Sequence, residues 1–246
     1  MSHLINIRSR MTGERQSDTA FHLSLIRMLL ERASQYDQEL RPSEWLIATG
    51  ERASSYLYGV YEGDHPSTAA LAVLLEEFRS DTSVKILSIW NGKEDKSKAA
   101  SISYYFDRKD SPSNGLRLTL RSKPDISRLG EWRNVADILA SGVTAFGAHY
   151  ASVETQNYEG VFGDKVGVGW MLYLPHVLTV QQVPEARALV PVMGKDAKGK
   201  DKQLGTIIVS VTDEPFSDEN PEHVKIANAI EIRLVDQDLL PRYTDL

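Results

Sequence analysis

The sequence contains no cysteine. That removes disulfides, thiolate metal sites and cysteine nucleophiles together, and leaves oxygen and histidine as the metal ligands to look for. No window reaches 18 uninterrupted apolar residues, so no membrane-spanning helix is expected. The opening Met-Ser-His-Leu-Ile-Asn-Ile-Arg-Ser-Arg is too short and too polar for a signal peptide. These absences give the expectation of a cytoplasmic protein with no membrane partner. Catalytic signatures are missing as well. There is no Gly-x-Ser-x-Gly elbow, no phosphate-binding loop and no His-Glu-x-x-His. Gly167-Val-Gly169 lacks the third glycine of a dinucleotide fingerprint and runs into strand-like Trp170-Met-Leu-Tyr-Leu174. The histidines, at 3, 22, 65, 149, 176 and 223, place no two on one helix face. Three acid-x-lysine triplets, at Glu94 to Lys96, Asp107 to Lys109 and Asp196 to Lys198, sit in or beside lysine-rich loops, as chance allows in a chain that is 25% charged. The expectation is therefore a non-enzyme with no catalytic residue, cofactor or metal ligand.

What is present suffices for a substantial core, since 41% of the 246 residues are hydrophobic. The chain reads as one α+β domain, or as two sheet-plus-helix halves meeting near residue 147. The net charge of −6 is unevenly placed. Residues 1–130 carry 18 basic against 17 acidic side chains, whereas residues 207–246 alone carry 9 acids and 3 bases. An acidic end disfavours nucleic acid and suits either a basic partner or simple solvation.

Hydrophobic periodicity organises the rest. Leu4 to Arg8 reads as a short strand, and a helix begins at Ser17 or Asp18 with Phe21, Leu25, Met28, Leu29 and Ala33 on one face. Trp45 to Ala48 is a further extended piece, and Ser67 or Thr68 starts a second helix through Phe78. The period then becomes two: Val84 to Trp90, Ala100 to Phe106 and Leu116 to Leu120 alternate between turn-rich loops, which makes an antiparallel meander. A helix over 131–147 follows, with Val135, Ile138, Leu139, Gly142, Ala145 and Phe146 as its buried stripe. Strands are expected near 149–155, 165–174, 176–183, 188–193 and 204–212, with a hairpin tip at 194–202 and a closing helix from 221 to about 240. Strand runs flanked by helices, without regular alternation, indicate largely antiparallel sheet.

The closing helix has a well-made start: Asn220 as cap, Pro221 at the first turn and Glu222 at the positive end of the dipole. Further along, Asn228, Glu231 and Asp238 fall inside an otherwise apolar arc. A buried carboxylate needs a cation or several donors, and Arg8, Arg10 or Arg242 are candidates.

Val168-Gly-Trp-Met-Leu-Tyr-Leu-Pro175, Leu204-Gly-Thr-Ile-Ile-Val-Ser-Val211, Asn220-Pro-Glu-His223 and Ala227 through Tyr243 together resemble the immunity protein 52 family of bacterial polymorphic-toxin systems. The resemblance covers roughly the last 80 residues, with echoes in Ile5 to Arg10 and around Trp45. It implies a non-enzymatic antidote to a nuclease-type toxin delivered by a contact-dependent, type VI kind of secretion system. It supplies no catalytic residues. An inhibitor of a basic, phosphate-binding toxin should carry an acidic surface, so the partner-binding candidates are Asp213, Glu214, Asp218, Glu219 and Glu222, followed by Glu231, Asp236 and Asp238. Homo-oligomerisation stays open. The rival reading is an α+β enzyme or small-molecule-binding domain with a site assembled around Trp170, Tyr173, Glu231 and Asp238.

Overall fold

A computed structural model of the chain describes residues 2–80, 83–122, 127–196 and 198–246. It is an α+β fold on a nine-stranded sheet whose strand pairs are antiparallel. In chain order the strands and helices are β1 Ser2–Arg10, α1 Thr19–Ser34, β2 Leu46–Ile47, α2 Arg52–Ser55, β3 Tyr61–Glu62, β4 His65–Pro66, α3 Thr68–Glu77, β5 Lys85–Trp90, β6 Ala100–Phe106, β7 Ser113–Arg121, α4 Trp132–Phe146, β8 Ala148–Thr155, β9 Met171–Leu174, β10 Ala188–Lys195, β11 Asp201–Val209 and α5 Pro221–Asp236. The sheet order is β10-β11-β9-β8-β1-β7-β6-β5-β2, and β3 and β4 form a separate small hairpin.

The meander β5-β6-β7 forms as its alternation predicts: Leu87 and Ile89, Ile102 and Tyr104, and Leu116, Leu118 and Leu120 are buried. Unforeseen was the place of β1. It lies in the middle of the sheet, paired to β7 on one side and β8 on the other, and so joins the two strand runs.

One face of the sheet is covered by α1 and α4. Asp18 caps α1 by accepting from the Phe21 N–H, and the helix buries His22, Leu23, Leu25, Ile26, Leu29, Leu30 and Ala33. Met28, expected on that face, is instead exposed. The packed face is wider than the predicted stripe and is rotated toward Leu23 and Leu30. Asp137 of α4 ties the two helices together. It accepts from Arg32 Nε and Nη2 at 2.5 Å each and from the Tyr36 hydroxyl at 2.9 Å.

Helix α5 covers the opposite face over β8, β9 and β11, where Tyr150, Leu172, Leu174, Ile208, Ile230 and Leu234 make a second core. Two strand expectations fail on this side. The strand forecast at 165–174 is confined to Met171–Leu174, because Gly169 takes φ +53° and breaks the alternation. Val166 and Val168 stay with the second core, while Trp170 joins the larger one. No strand forms over 176–183. Thr206 Oγ1 accepts from the Leu178 N–H, and Gln182 Oε1 accepts from the N–H and hydroxyl of Thr179. The chain coils there, leaving Val177 and Val180 exposed while Leu178 and Val183 are buried.

Helix α5 also ends earlier than forecast, at Asp236. Asp238 sits at φ +57°, its N–H bonded to Val235 O while the Leu239 N–H reaches back to Leu234 O. Those two bonds close a Schellman cap in which aspartate occupies the position usually given to glycine.

Candidate functional site

The turn between β11 and α5 is where acidic side chains collect. Asn220 caps the helix, its Oδ1 accepting from the Glu222 N–H, with Pro221 at the first position. At the third position stands His223, almost fully buried. Its Nδ1 accepts from the Ser217 N–H at 3.1 Å, so the ring proton lies on Nε2, which faces Glu214 Oε1 at 2.9 Å. Phe216, fully buried, stacks on the same ring with centroids 5.8 Å apart. The histidine is thus a clamp that folds residues 214–217 back onto the start of α5. A serine-histidine-carboxylate triad is not what this is, because the ring meets the serine's backbone N–H and not its hydroxyl.

Around that clamp lie three adjoining clefts of about 450, 350 and 510 Å³, and Glu214 lines all of them. Asp213, Glu219 and Glu222 line one or more, and Glu131, at the start of α4, completes the third. Among the described residues, five carboxylates therefore rim the clefts against two guanidiniums, Arg187 and Arg133. Asp213, Glu214, Glu219 and Glu222 are all exposed. The fold thus brings together four of the five leading candidates and adds Glu131, which a charge count along the C-terminal segment cannot find.

The remaining candidates are distributed differently. Asp218 is only half-exposed, and its buried Oδ2 has no hydrogen-bond partner among the described residues. It lies near enough to the buried His3 to act on that ring, whose pKa burial lowers and Asp218 partly restores. Asp236 and Asp238 are exposed at the far end of α5, about 20 Å of helix rise from Glu222.

Glu231 is not at the surface at all: it is 1% exposed, and none of the three arginines proposed for it is its partner. Its Oε1 accepts from the Tyr158 hydroxyl at 2.5 Å and from the Val168 N–H at 2.8 Å, and its Oε2 from the Val161 N–H at 2.7 Å. The carboxylate pins the loop between β8 and β9. Gly160 and Gly167 are placed so that a Cβ on either would press against the carboxylate or the Tyr158 ring. Glu231 is accordingly a structural group, buried with its donors supplied.

The constellation Trp170, Tyr173, Glu231 and Asp238 is not assembled. Trp170 is buried, its indole Nε1–H donating to Val211 O. Tyr173 packs in the larger core, away from the α5 side on which Glu231 lies. Asp238 is in solvent at the helix end. Among the described residues, no group of three His, Asp or Glu side chains is placed to hold a metal ion, and no helix is long and apolar enough to cross a membrane.

No protein-family model matches the chain, and no curated protein sequence does. Among solved structures it is similar to the Pseudomonas aeruginosa T6SS protein PA0821, with a TM-score of 0.49 and 11% identity over 93% of this chain and 75% of that one. A likeness of that size is too slight to argue from.

Proposed function

We propose that this chain is a non-enzymatic immunity protein that neutralises a cognate, nuclease-type toxin in the bacterial cytoplasm by stoichiometric binding. The observation that carries the reading is the ring of carboxylates, Glu131, Asp213, Glu214, Glu219 and Glu222, around adjoining clefts. It is supported by the C-terminal sequence resemblance to the immunity protein 52 family. A toxin that grips phosphates must be basic around its cleft, and a preorganised acidic surface is its electrostatic complement. The His223 clamp and the α5 cap hold that surface in one shape before binding, which lowers the ordering cost on association.

The test uses the toxin domain encoded next to this reading frame and the triple variant Asp213→Lys, Glu219→Lys, Glu222→Lys. Glu214 is left alone because it also holds His223. The three reversed side chains are exposed, and Glu222 has only a 3.6 Å pairing with Lys225, so the fold should survive. The association rate at low salt should fall at least tenfold, and its dependence on ionic strength should shrink. Unchanged affinity and unchanged salt dependence would remove the acidic surface from the reading.

A further inference from the structure

The sheet face turned away from α1 and α4 is covered by α5 over β8, β9 and β11, with Asp245 and Leu246 reaching Arg10 and Ser113 at one end of β1 and β7. Over β5, β6 and β7 it is open: Ser88, Ser101, Ser103 and Arg117 are exposed, and so is Ile86, at 52%. The registers put Asn6, Arg117, Ser103 and Ser88 in one row across β1, β7, β6 and β5. The next row on one side brings Arg8, Gly115, Tyr105 and Ile86 level, and the row on the other side ends at Trp90.

Arg8 and Arg117, the arginines within these rows, are used differently; Arg10 and Arg121 alternate onto the same face at the strand ends. Arg8 reaches across β7 to Tyr105, donating to its hydroxyl with the guanidinium 4.9 Å from the ring centroid. They meet because Gly115 between them has no side chain to obstruct the contact. Arg117 has a different support. Its Nε donates to Asn6 Oδ1 at 3.0 Å, while Asn6 Nδ2 donates to Glu154 Oε1 at 2.8 Å and to Ser152 Oγ at 3.2 Å. Asn6 is 7% exposed, so its amide cannot turn without losing buried bonds on both sides. Burial holds the Glu154 carboxyl above its ordinary pKa, against the pull of Asn6 and Arg117. Among the described residues, neither terminal nitrogen of Arg117 has a partner. An arginine that merely solvates a sheet needs no buried amide backed by a half-buried carboxylate behind it. This one is held by its inner edge with the outer fork turned to solvent, as a carboxylate receptor requires.

We propose that the open face of β5, β6 and β7 docks an acidic segment of a partner protein, with a carboxylate received by Arg117. Three features fit a protein occupant. The serines let another backbone approach closely. Trp90, T-shaped against Tyr56 with centroids 5.5 Å apart, supplies an apolar border along with Tyr105 and Ile86. Serine, tyrosine, tryptophan and arginine together are the composition of protein-recognition surfaces. A nucleic acid would need a run of phosphate contacts, and among the described residues these rows offer the outer fork of one guanidinium with Glu154 behind it, Arg121 standing two rows away at the strand end. The face shares no residue with the acidic clefts, and the proposal stands independently of the toxin reading.

The experiment is an NMR titration of the full chain with three probes. These are the peptide acetyl-Tyr-Glu-Asp-Trp-Glu-amide, its counterpart with Gln and Asn in place of the acids, and a twelve-base single-stranded oligonucleotide. The acidic peptide should shift the amide resonances of Ser88, Ser103 and Arg117 saturably, and the amide-substituted peptide should bind at least tenfold more weakly. Arg117→Gln should abolish the shifts, Arg117→Lys should weaken binding several-fold, and Arg79→Gln, an exposed arginine just past α3, should leave it within twofold; resonances of the α1 and α4 core report that each variant is folded. The proposal is overturned by the absence of saturable shifts at this face, by equal losses in the Arg117 and Arg79 variants, or by tighter binding of the oligonucleotide.

Discussion

Replacing Glu231 by alanine separates a structural carboxylate from a binding one. The substitution deletes the acceptor of three bonds: the Tyr158 hydroxyl and the N–H groups of Val161 and Val168. Val168 is fully buried, so its N–H is left with no partner and no access to water. Tyr158 is half-buried and loses its shortest contact, whereas exposed Val161 can turn to solvent. The stranded Val168 donor costs about 1–3 kcal/mol, and the Tyr158 hydroxyl, which keeps Asn228 Oδ1 at 3.3 Å, adds less, for roughly 2–4 kcal/mol in all. In a chain of this size that lowers the melting temperature by roughly 4–16 °C. Glu231→Gln preserves the volume but presents an amide N–H₂ where a donor already points, so it should also destabilise. Urea unfolding supplies the free energy, and hydrogen exchange shows where it is lost: the Val168 amide should exchange orders of magnitude faster, ahead of the β1 amides. A loss under about 1 kcal/mol with Val168 still protected would refute the argument. So would a variant of ordinary stability that had lost partner binding, because Glu231 would then be a surface determinant.

Two further outcomes follow from buried polar contacts elsewhere. Asp137→Asn should weaken the bidentate pairing that joins α1 to α4 by about 1–2 kcal/mol, the groups being roughly one-third exposed, and a double-mutant cycle with Arg32→Gln should return about 1 kcal/mol of coupling. An additive cycle would show the pair to be idle. His22 is buried between Gln16 O and the Tyr104 hydroxyl, and burial lowers its pKa below the model-compound 6.5. The unfolded chain then binds the proton first, so stability should be full above pH 6.5 and fall as the pH drops below it. Asp18 and Asp107 oppose this lowering and Lys85 adds to it. His22→Gln should flatten that part of the urea-midpoint profile between pH 7.5 and 5.5; an unchanged slope would assign it elsewhere, for example to His3, which burial also lowers.

Where the signal is local, the sequence is legible. Asn220 was readable as a cap, and Asp18 and Ser67 each as one of two adjacent helix starts, because residue type and the following pattern narrow the choice; each of the three accepts an N–H of the first turn. The meander was readable because alternation is a property of each strand by itself. The partners of Glu231 were not, since two of them are backbone N–H groups, and a backbone donor leaves no mark on residue identity; glycines at 160 and 167 are the only trace. Over 176–183, buried Leu178 and Val183 imitate a strand, but side-chain bonds to Thr206 and Gln182 coil the segment instead. The acidic surface was half legible. Counting charge along 207–246 treats buried Glu231, inward-turned Asp218 and exposed Glu219 as equals, and it cannot see that Glu131 arrives from α4.

The central position of β1 bears on how the chain is made. This strand is synthesised ahead of the rest of the sheet, yet its hydrogen-bonding partners are Ser113–Arg121 and Ala148–Thr155. More than a hundred residues must be synthesised before either edge of β1 can be satisfied, and about 150 before both are. Until then an apolar strand containing Leu4, Ile5 and Ile7 waits unpaired, which favours chaperone engagement during translation and slow, late closure of the sheet.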